Sequence, residues 1–391
     1  MINIHLYPSP FLNESRILRE ARLLEKLGLF ERIDLVGTGR SDLAVTEAVS
    51  DRIHIRRIGL RDESLSFLEK TQATMTWSAA VFRSYRGERI GCVNCHSIAT
   101  LPLGVRFKRT TGARLVYDAH ELETETNGLH GLRKRLTKLT ERALIGQADH
   151  CIFVGDAIDN WYREAYGITN TTVLYNCPPY RELQPSDVFR ERFGIPADMP
   201  IFLYQGLIGE GRGLRLLVEA FAGLRGRAAL VILGYGPLSG WVREQADACD
   251  NVFHHPAVPP GELLSYTAAA DVGLSVIEPT SLSYEYCMPN KLFEYIMAGK
   301  PLIVSPTTEQ RSFLRRFRVG EVASELTADA LRSAVMTLLS RPPGHYQAEL
   351  ARARQLFNWD RQEKALESVY RQWLGFDAPV RSLAPMEGEA T

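Results

Sequence analysis

The sequence predicts an α/β protein made of two domains, each a parallel sheet covered by helices. Three observations carry that prediction. Short apolar runs alternate with segments of helical period along most of the chain. The alternation happens twice, in a first series up to Tyr175 and a second from Ile201 to Ser305. A proline-rich stretch from Asn176 to Pro200 (Pro178, Pro179, Pro185, Pro196 and Pro200) separates the two series. Strand–helix alternation of this kind specifies parallel sheets with helices on both faces. A length of 391 residues suits two domains of about 100–200 residues each.

The first series of runs reads as buried strands at Ile2–Tyr7, Ile33–Val36, Ile53–Ile58, Gly91–Asn94, Leu115–Asp118, Cys151–Val154 and Val173–Tyr175. The second comprises Ile201–Gln205, Ala229–Leu233, Val252–His254, Val272–Val276 and Leu302–Ser305. Each is short, apolar and bounded by turn residues. Between them lie amphipathic helices. In Asn13–Leu27, Ile17, Ala21 and Leu24 share a face with Gly28; in Leu214–Leu224, Leu217, Phe221 and Leu224 do. The proline-rich connection holds one short helix, Asp187–Phe193, and Trp359–Trp373 reads as a last helix with Ala365, Val369 and Trp373 on one stripe. The division is a first Rossmann-like domain over 1–180, a second over 181–357, a C-terminal helix over 358–374 packing back on the first domain, and a disordered tail over 375–391. Open sheets of this class bind ligands at the carboxyl ends of their strands, so the expected site is a cleft between the two domains.

Hydrophobic residues make up 45% of the chain and charged residues 24%, ordinary values for a chain that buries a full core. Lys+Arg and Asp+Glu both number 46. A neutral chain argues against a dedicated nucleic-acid binder, which carries a basic excess. No run approaches the ~18 consecutive apolar residues of a membrane span. The start, MINIHLYPSP, lacks the basic region and apolar run of a secretion signal. These features lead us to expect a protein of the cytoplasm or of the inner face of a membrane. The six cysteines are scattered, as buried free thiols of a reducing compartment are. Cys92-Val-Asn-Cys95-His96 has the spacing of a haem attachment site, but it ends a buried strand, where Cys92 and Cys95 point to opposite faces. Gly37-Thr38-Gly39 follows a strand as a dinucleotide loop does, with Asp42 where the third glycine belongs.

The segment Cys287-Met-Pro-Asn-Lys-Leu-Phe-Glu-Tyr-Ile-Met-Ala-Gly-Lys-Pro301 is the most informative. Pro289 suits a first helical turn and Gly299 a helix end. Lys291 falls in that first turn, where the helix dipole disfavours a cation unless an anion such as a diphosphate joins it. Glu294 lies on the same face and suits the two hydroxyls of a ribose. Arg212, in Tyr204-Gln-Gly-Leu-Ile-Gly-Glu-Gly-Arg-Gly213, stands at another helix start, among glycines that include Gly206. Two cations at two helix starts suggest a diphosphate clamp. Gly234-Tyr-Gly-Pro237 marks a third strand-to-helix turn on the same sheet edge. The plainer reading makes Lys291 and Glu294 an i,i+3 surface pair, Arg212 a solvated loop residue and His120 a structural histidine.

These blocks resemble the retaining GT-B glycosyltransferases of family 4, the group 1 glycosyl transferases. The likeness runs through YQGLIGEGRGLRLLVEAF, LVILGYGPL, ELLSYTAAAD and PNKLFEYIMAGKPLIV, and more faintly through SPFLNESRILREARLLEKLG and LVYDAHELETE. The resemblance implies a GT-B fold and transfer of a sugar from a UDP- or GDP-sugar, with retention, to a glycan or lipid-linked saccharide acceptor in polysaccharide biosynthesis. It implies no cofactor and no metal, and the chain contains no D-x-D. Arg212 and Lys291, with the backbone at Pro289 and Asn290, would hold the diphosphate; Glu294 would take the ribose; Gly206, Gly234 and Val258 would pack around the nucleotide. His120, with Arg212 and Lys291, would serve the reacting centre. Ser9, Phe11, Glu285 and Tyr286 would lie near the sugar or acceptor. Two positions depart from the family pattern: an arginine position falls on Leu207, and the first glutamate of a pair falls on Tyr286, next to Glu285. The departures keep two other readings open, a sugar-nucleotide epimerase and a non-catalytic nucleotide-binding relative. Finally, Leu132–Ile145 reads as a basic amphipathic helix, either packed with a solvated basic face or docked on anionic lipid as a peripheral membrane contact.

Overall fold

The structure, a computed structural model, describes residues 1–12, 14–60 and 67–376. Asn13, read as a helix start, and the tail from residue 377 on lie outside the described residues. The strands of the first sheet are β1 (Ile2–Leu6), β2 (Arg32–Gly39), β3 (Thr46–Ala48), β4 (Ile53–Leu60), β5 (Ile90–Cys95), β6 (Arg114–Ala119), β7 (His150–Phe153) and β8 (Thr171–Val173), in the order β3-β4-β2-β1-β5-β6-β7-β8. The second sheet holds β9 (Ile201–Leu207), β10 (Ala229–Tyr235), β11 (Val252–Pro256), β12 (Val272–Ser275), β13 (Leu302–Val304) and β14 (Gly320–Val322), in the order β11-β10-β9-β12-β13-β14. Each of its pairings is parallel; in the first sheet β3 pairs antiparallel with β4. The second sheet is therefore parallel and the first is parallel apart from its edge strand β3, both of the predicted α/β class.

The chain divides into two compact units. Of the described residues, one comprises those of Met1–Ala119, Thr140–Ile152 and Ala365–Phe376; the other comprises His120–Leu139 and Phe153–Lys364. In the first, helix Ser15–Lys26 buries Ile17, Ala21 and Leu24, the predicted stripe. It also buries Arg16 and Glu20. Arg16 pairs with Glu20 at 3.1 Å and donates to both oxygens of Asp118, at 2.8 and 3.2 Å. Asp118 accepts from His96, whose ring meets His5 at 2.8 Å. The last helix, Trp359–Ser368, ends in a wider π-turn at Val369–Trp373. There the buried Tyr370 hydroxyl donates to Asn94 Oδ1 at 2.7 Å, and its ring meets the edge of Phe30. Gly37 and Gly39 lie inside β2 rather than after it. A Cβ on Gly37 would stand 2.0 Å from the Ser9 carbonyl, so this glycine serves a close backbone approach, not a dinucleotide loop. Cys92 and Cys95 are buried free thiols in β5, as expected of that strand.

In the second unit, β9 comes first in sequence yet sits between β10 and β12. That reversal of strand order opens a crevice at the carboxyl ends of the strands. The register aligns Gly206 of β9 with Gly234 of β10. A Cβ on Gly234 would lie 1.9 Å from the Gly206 carbonyl oxygen, so the two strand ends close up only because residue 234 has no side chain. No helix among the described residues is long and apolar enough to cross a membrane.

Candidate active site

At the carboxyl edge of the second sheet lies an open cavity of about 430 Å³, within the usual size range of small-molecule sites. Its lining includes His120, Gly206, Arg212, Gly234, Val258, Pro289, Asn290, Lys291 and Glu294. The residues that the sequence assigned to the nucleotide and to the reacting centre thus share one wall.

Helix Asn290–Met297 brings three of them. Pro289 is its N-cap, at φ −74° and ψ 143°, one position before the first-turn place read from the sequence. Proline offers no side chain to cap the helix, and none does, so the first-turn N–H groups are left for solvent or a ligand. Asn290 Oδ1 accepts from Asn176 Nδ2 at 2.9 Å. Lys291 is buried, with Nζ 3.7 Å from the centroid of the Tyr204 ring. The Tyr204 hydroxyl is turned away, donating to the Leu207 carbonyl at 2.7 Å. Among the described residues Lys291 Nζ has no hydrogen-bond partner, so it is not bonded to Glu294 one turn on. Burial, with Arg212 nearby, lowers its pKa from 10.5 to about 7. A buried ammonium beside a second cation is costly, and the charge of Glu294 offsets less than burial and Arg212 impose; an anion in the cavity would relieve that cost.

Arg212 precedes Gly213, the N-cap of helix Leu214–Ala222, which adopts a left-handed φ of +64°. A Cβ on Gly213 would reach to 2.2 Å of Val276 Cγ1, so glycine is what lets this turn lie against the sheet. The Arg212 guanidinium stands 4.8 Å from the Tyr284 ring centroid, and its buried Nε has no hydrogen-bond partner among the described residues. Glu294 is held differently: its Oε2 accepts from Gln205 Nε2 at 2.5 Å, and Gln205 Oε1 accepts from Thr267 Oγ1 at 2.9 Å. Thr267 and Gln205 thereby fix the carboxylate at the cavity wall.

Glu121 is a lining residue that the sequence reading passed over. Its carboxyl is pushed above the usual carboxylate range by burial, and Ser283 Oγ lies 3.4 Å away as a donor. The only sequence signal was its place beside His120 past a strand end. Four other expected residues lie elsewhere. Ser9 and Phe11 belong to the other unit, in the turn after β1; Ser9 Oγ accepts from the Phe11 N–H at 3.1 Å, and Phe11 has φ 54°. Glu285 is used as a cap: its Oε1 accepts from the N–H and hydroxyl of Thr308, at 2.9 and 2.5 Å, at the start of helix Thr308–Phe317. Tyr286 ends the short helix Leu282–Glu285. Neither Glu285 nor Tyr286 lines the cavity. Leu207 does, and is 46% exposed.

Comparison with known proteins adds to this geometry. Residues 199–341 match the family described as Glycosyl transferases group 1, and residues 8–177 match Glycosyltransferase Family 4. Among characterised proteins, the lipopolysaccharide 1,2-N-acetylglucosaminetransferase of Salmonella typhimurium is 22% identical over 231 residues. That match covers 54% of this chain and 59% of the relative, so it spans little more than half of the relative's length. Among solved structures, sucrose-phosphate synthase of Thermosynechococcus elongatus superposes with a TM-score of 0.80 at 17% identity, covering 95% of this chain and 98% of that one. The Anabaena protein HepE, solved with UDP-glucose, gives 0.72 at 14% identity over 95% and 100%. These likenesses show the GT-B fold. With both matched stretches, which together take in most of the sequence, they place the chain in the group 1 (family 4) glycosyltransferases.

Proposed function

We propose that the protein transfers a sugar from a nucleoside-diphosphate sugar to a hydroxyl of a glycan or lipid-linked saccharide, with retention and without a metal, in the building of a surface polysaccharide. The observation that carries this reading is the pair of cations, Arg212 and Lys291, facing one cavity with unpartnered buried nitrogens. A diphosphate would satisfy both at once, a charge-assisted arrangement stronger than neutral hydrogen bonds. Glu294, fixed by Gln205, would accept the ribose hydroxyls. UDP-glucose in HepE and the acceptor chemistry named for the Salmonella relative support the donor and acceptor classes.

In the reaction, the bond between the sugar's anomeric carbon and the diphosphate oxygen breaks. The acceptor oxygen bonds to that carbon on the same face, and its proton passes to the departing diphosphate. No protein nucleophile is needed. Arg212, Lys291 and the start of helix Asn290–Met297 would stabilise the negative charge that grows on the leaving group. His120 and Glu121 would orient sugar or acceptor hydroxyls.

The test is incubation with UDP-, GDP- and ADP-sugars under a chelator, with and without a saccharide acceptor. The reading expects acceptor-dependent nucleotide release that Arg212→Met and Lys291→Met each reduce by at least about a hundredfold, the scale of losing a preorganised charge contact. Turnover that requires a divalent ion and survives both substitutions sinks it. A second reading, a sugar-nucleotide epimerase, gains support from Glu121 beside His120 in the lining. It expects conversion of the donor sugar with no acceptor present.

A further inference from the structure

The two cavity cations each rest on an aromatic face. Lys291 Nζ lies 3.7 Å from the centroid of the Tyr204 ring, and the Arg212 guanidinium lies 4.8 Å from that of Tyr284. The carboxylates at hand are engaged by neutral partners. Glu294, on the helix of Lys291, accepts from Gln205 Nε2. Glu278, beside the loop of Arg212, accepts from the Gly213 N–H at 3.0 Å, and its own N–H donates to the Gly211 carbonyl at 3.0 Å.

Each ring is set by its own surroundings. Tyr204 is fully buried in β9 with its hydroxyl bonded to the Leu207 carbonyl, so its face and not its oxygen meets Lys291. Tyr284 belongs to the short helix Leu282–Glu285, where its N–H donates to Oγ of the N-cap Ser281 at 3.2 Å. Gly211 has a left-handed φ of +76°, and a Cβ there would stand 2.9 Å from the Tyr284 ring. Glycine thus lets the loop that carries Arg212 lie on that ring.

Rings and carboxylates hold a cation with different consequences. A carboxylate forms hydrogen bonds that an incoming anion must break, and breaking them leaves it buried and unpaired. The quadrupole of a ring attracts the cation through its face and takes no strong hydrogen bond. Lys291 Nζ and Arg212 Nε accordingly have no hydrogen-bond partner among the described residues.

We propose that Tyr204 and Tyr284 are positioning residues, whose ring faces hold Lys291 and Arg212 at the cavity wall with their N–H groups open to the diphosphate of the nucleotide sugar. The inference rests on the nucleotide-sugar reading above. The two rings act differently. An arginine stays charged at any working pH, so Tyr284 fixes only where Arg212 stands. Lys291 titrates near pH 7, faced by Arg212, Glu294 and the Cys287 thiol, so the Tyr204 face also favours its charged form. Weakening that face lowers the charged fraction of Lys291 in the empty site above neutral pH and changes it little near about pH 6.

The experiment is calorimetric titration of the full chain with UDP-, GDP- and ADP-glucose at about pH 6 and about pH 8. Wild type is compared with Tyr204→Phe, Tyr284→Phe and the proteins that carry trifluorophenylalanine at either position. Fluorine keeps the shape of the ring and drains its negative face. The phenylalanine variants keep the face and should bind within about twofold of wild type at both pH values. Trifluorophenylalanine at position 204 should weaken binding, relative to Tyr204→Phe, by about fivefold at pH 8 and by less than about twofold at pH 6. At position 284 the loss, relative to Tyr284→Phe, should be about two- to fivefold and the same at both pH values. Each phenylalanine protein and its fluorinated counterpart should melt at the same temperature, which separates charge from packing. Equal affinity of the two at either position overturns the proposal for that ring. A loss at position 204 that is the same at pH 6 and pH 8 overturns it for Tyr204, and makes that ring a packing element. These outcomes leave the nucleotide-sugar reading standing, whereas a wild type that binds none of the three ligands refutes that reading and this inference with it.

Discussion

Lys291 should make donor binding fall as pH rises. Its pKa in the empty site is about 7, and burial is the main cause. A bound diphosphate stabilises the charged form and raises that value. Above about pH 7, binding must then draw a proton from solution, and each further pH unit weakens apparent affinity by about tenfold, equivalent to 1.36 kcal/mol. Between about pH 6 and about pH 8 the free enzyme passes from mostly charged to about one-tenth charged, so the dissociation constant should rise about tenfold. The ligand should be an intact nucleotide sugar, whose phosphates are both esterified and do not titrate in this window. Calorimetry in buffers of different ionisation heat should find close to one proton taken up at pH 8 and little at pH 6. Lys291→Arg, which keeps a charge that does not titrate here, should flatten the profile. The sign for stability is separate. The folded value lies below the unfolded one, so the unfolded chain holds more protons between about 7 and 10.5. The ligand-free protein should gain stability across that window as pH rises. Wild-type affinity that is flat in pH, with no proton uptake, would refute the reasoning.

Three further outcomes follow from single contacts. Glu294→Ala should weaken nucleotide binding by about ten- to a hundredfold, the scale of hydrogen bonds to a charged group; the loss should be much smaller for a nucleotide lacking the ribose hydroxyls, as calorimetry would show. Gly234→Ala forces a Cβ to within 1.9 Å of the Gly206 carbonyl, an overpacking cost of about 1–3 kcal/mol, so the melting temperature should fall by several degrees and nucleotide affinity with it. Tyr370→Phe removes the buried hydroxyl bond to Asn94; urea unfolding should show a loss of about 1–2 kcal/mol with nucleotide binding unchanged.

The repeating alternation of runs was enough to read the class of both sheets, because buried parallel strands have no polar face to obscure them. What escaped were strands with little apolar signal. Thr46-Glu47-Ala48 is wholly exposed, and Gly320-Glu321-Val322 is half-buried at the edge of its sheet. The cavity wall from Pro289 to Glu294 was legible because a helix start, a cation and a carboxylate fall at fixed offsets in one segment. Glu121 and Gln205 were not: each stands beside a residue that was singled out, but their parts come from contacts with Ser283 and Glu294, far off in the chain. Glu285 misled for the converse reason. It stands next to a motif position, but its carboxylate is taken by Thr308, a contact 23 residues away in sequence. The leucine stripe read in Leu132–Ile145 shows the same limit: periodicity found it but not which way it faces, and in helix Gly131–Leu144 Leu132, Leu136 and Leu139 are exposed while Lys134 and Lys138 pair with Glu125 and Glu141 accepts from Tyr117.

The most direct test of the account is thermal stabilisation by UDP, GDP, ADP and their sugar conjugates, without metal, for wild type and for Arg212→Met with Lys291→Met. A ligand at about a hundred times its dissociation constant adds about 2.7 kcal/mol to the native state. The account predicts that one nucleotide family raises the wild-type melting temperature by several degrees and leaves the double variant unmoved. No shift with any nucleotide, or an equal shift in both proteins, would contradict it.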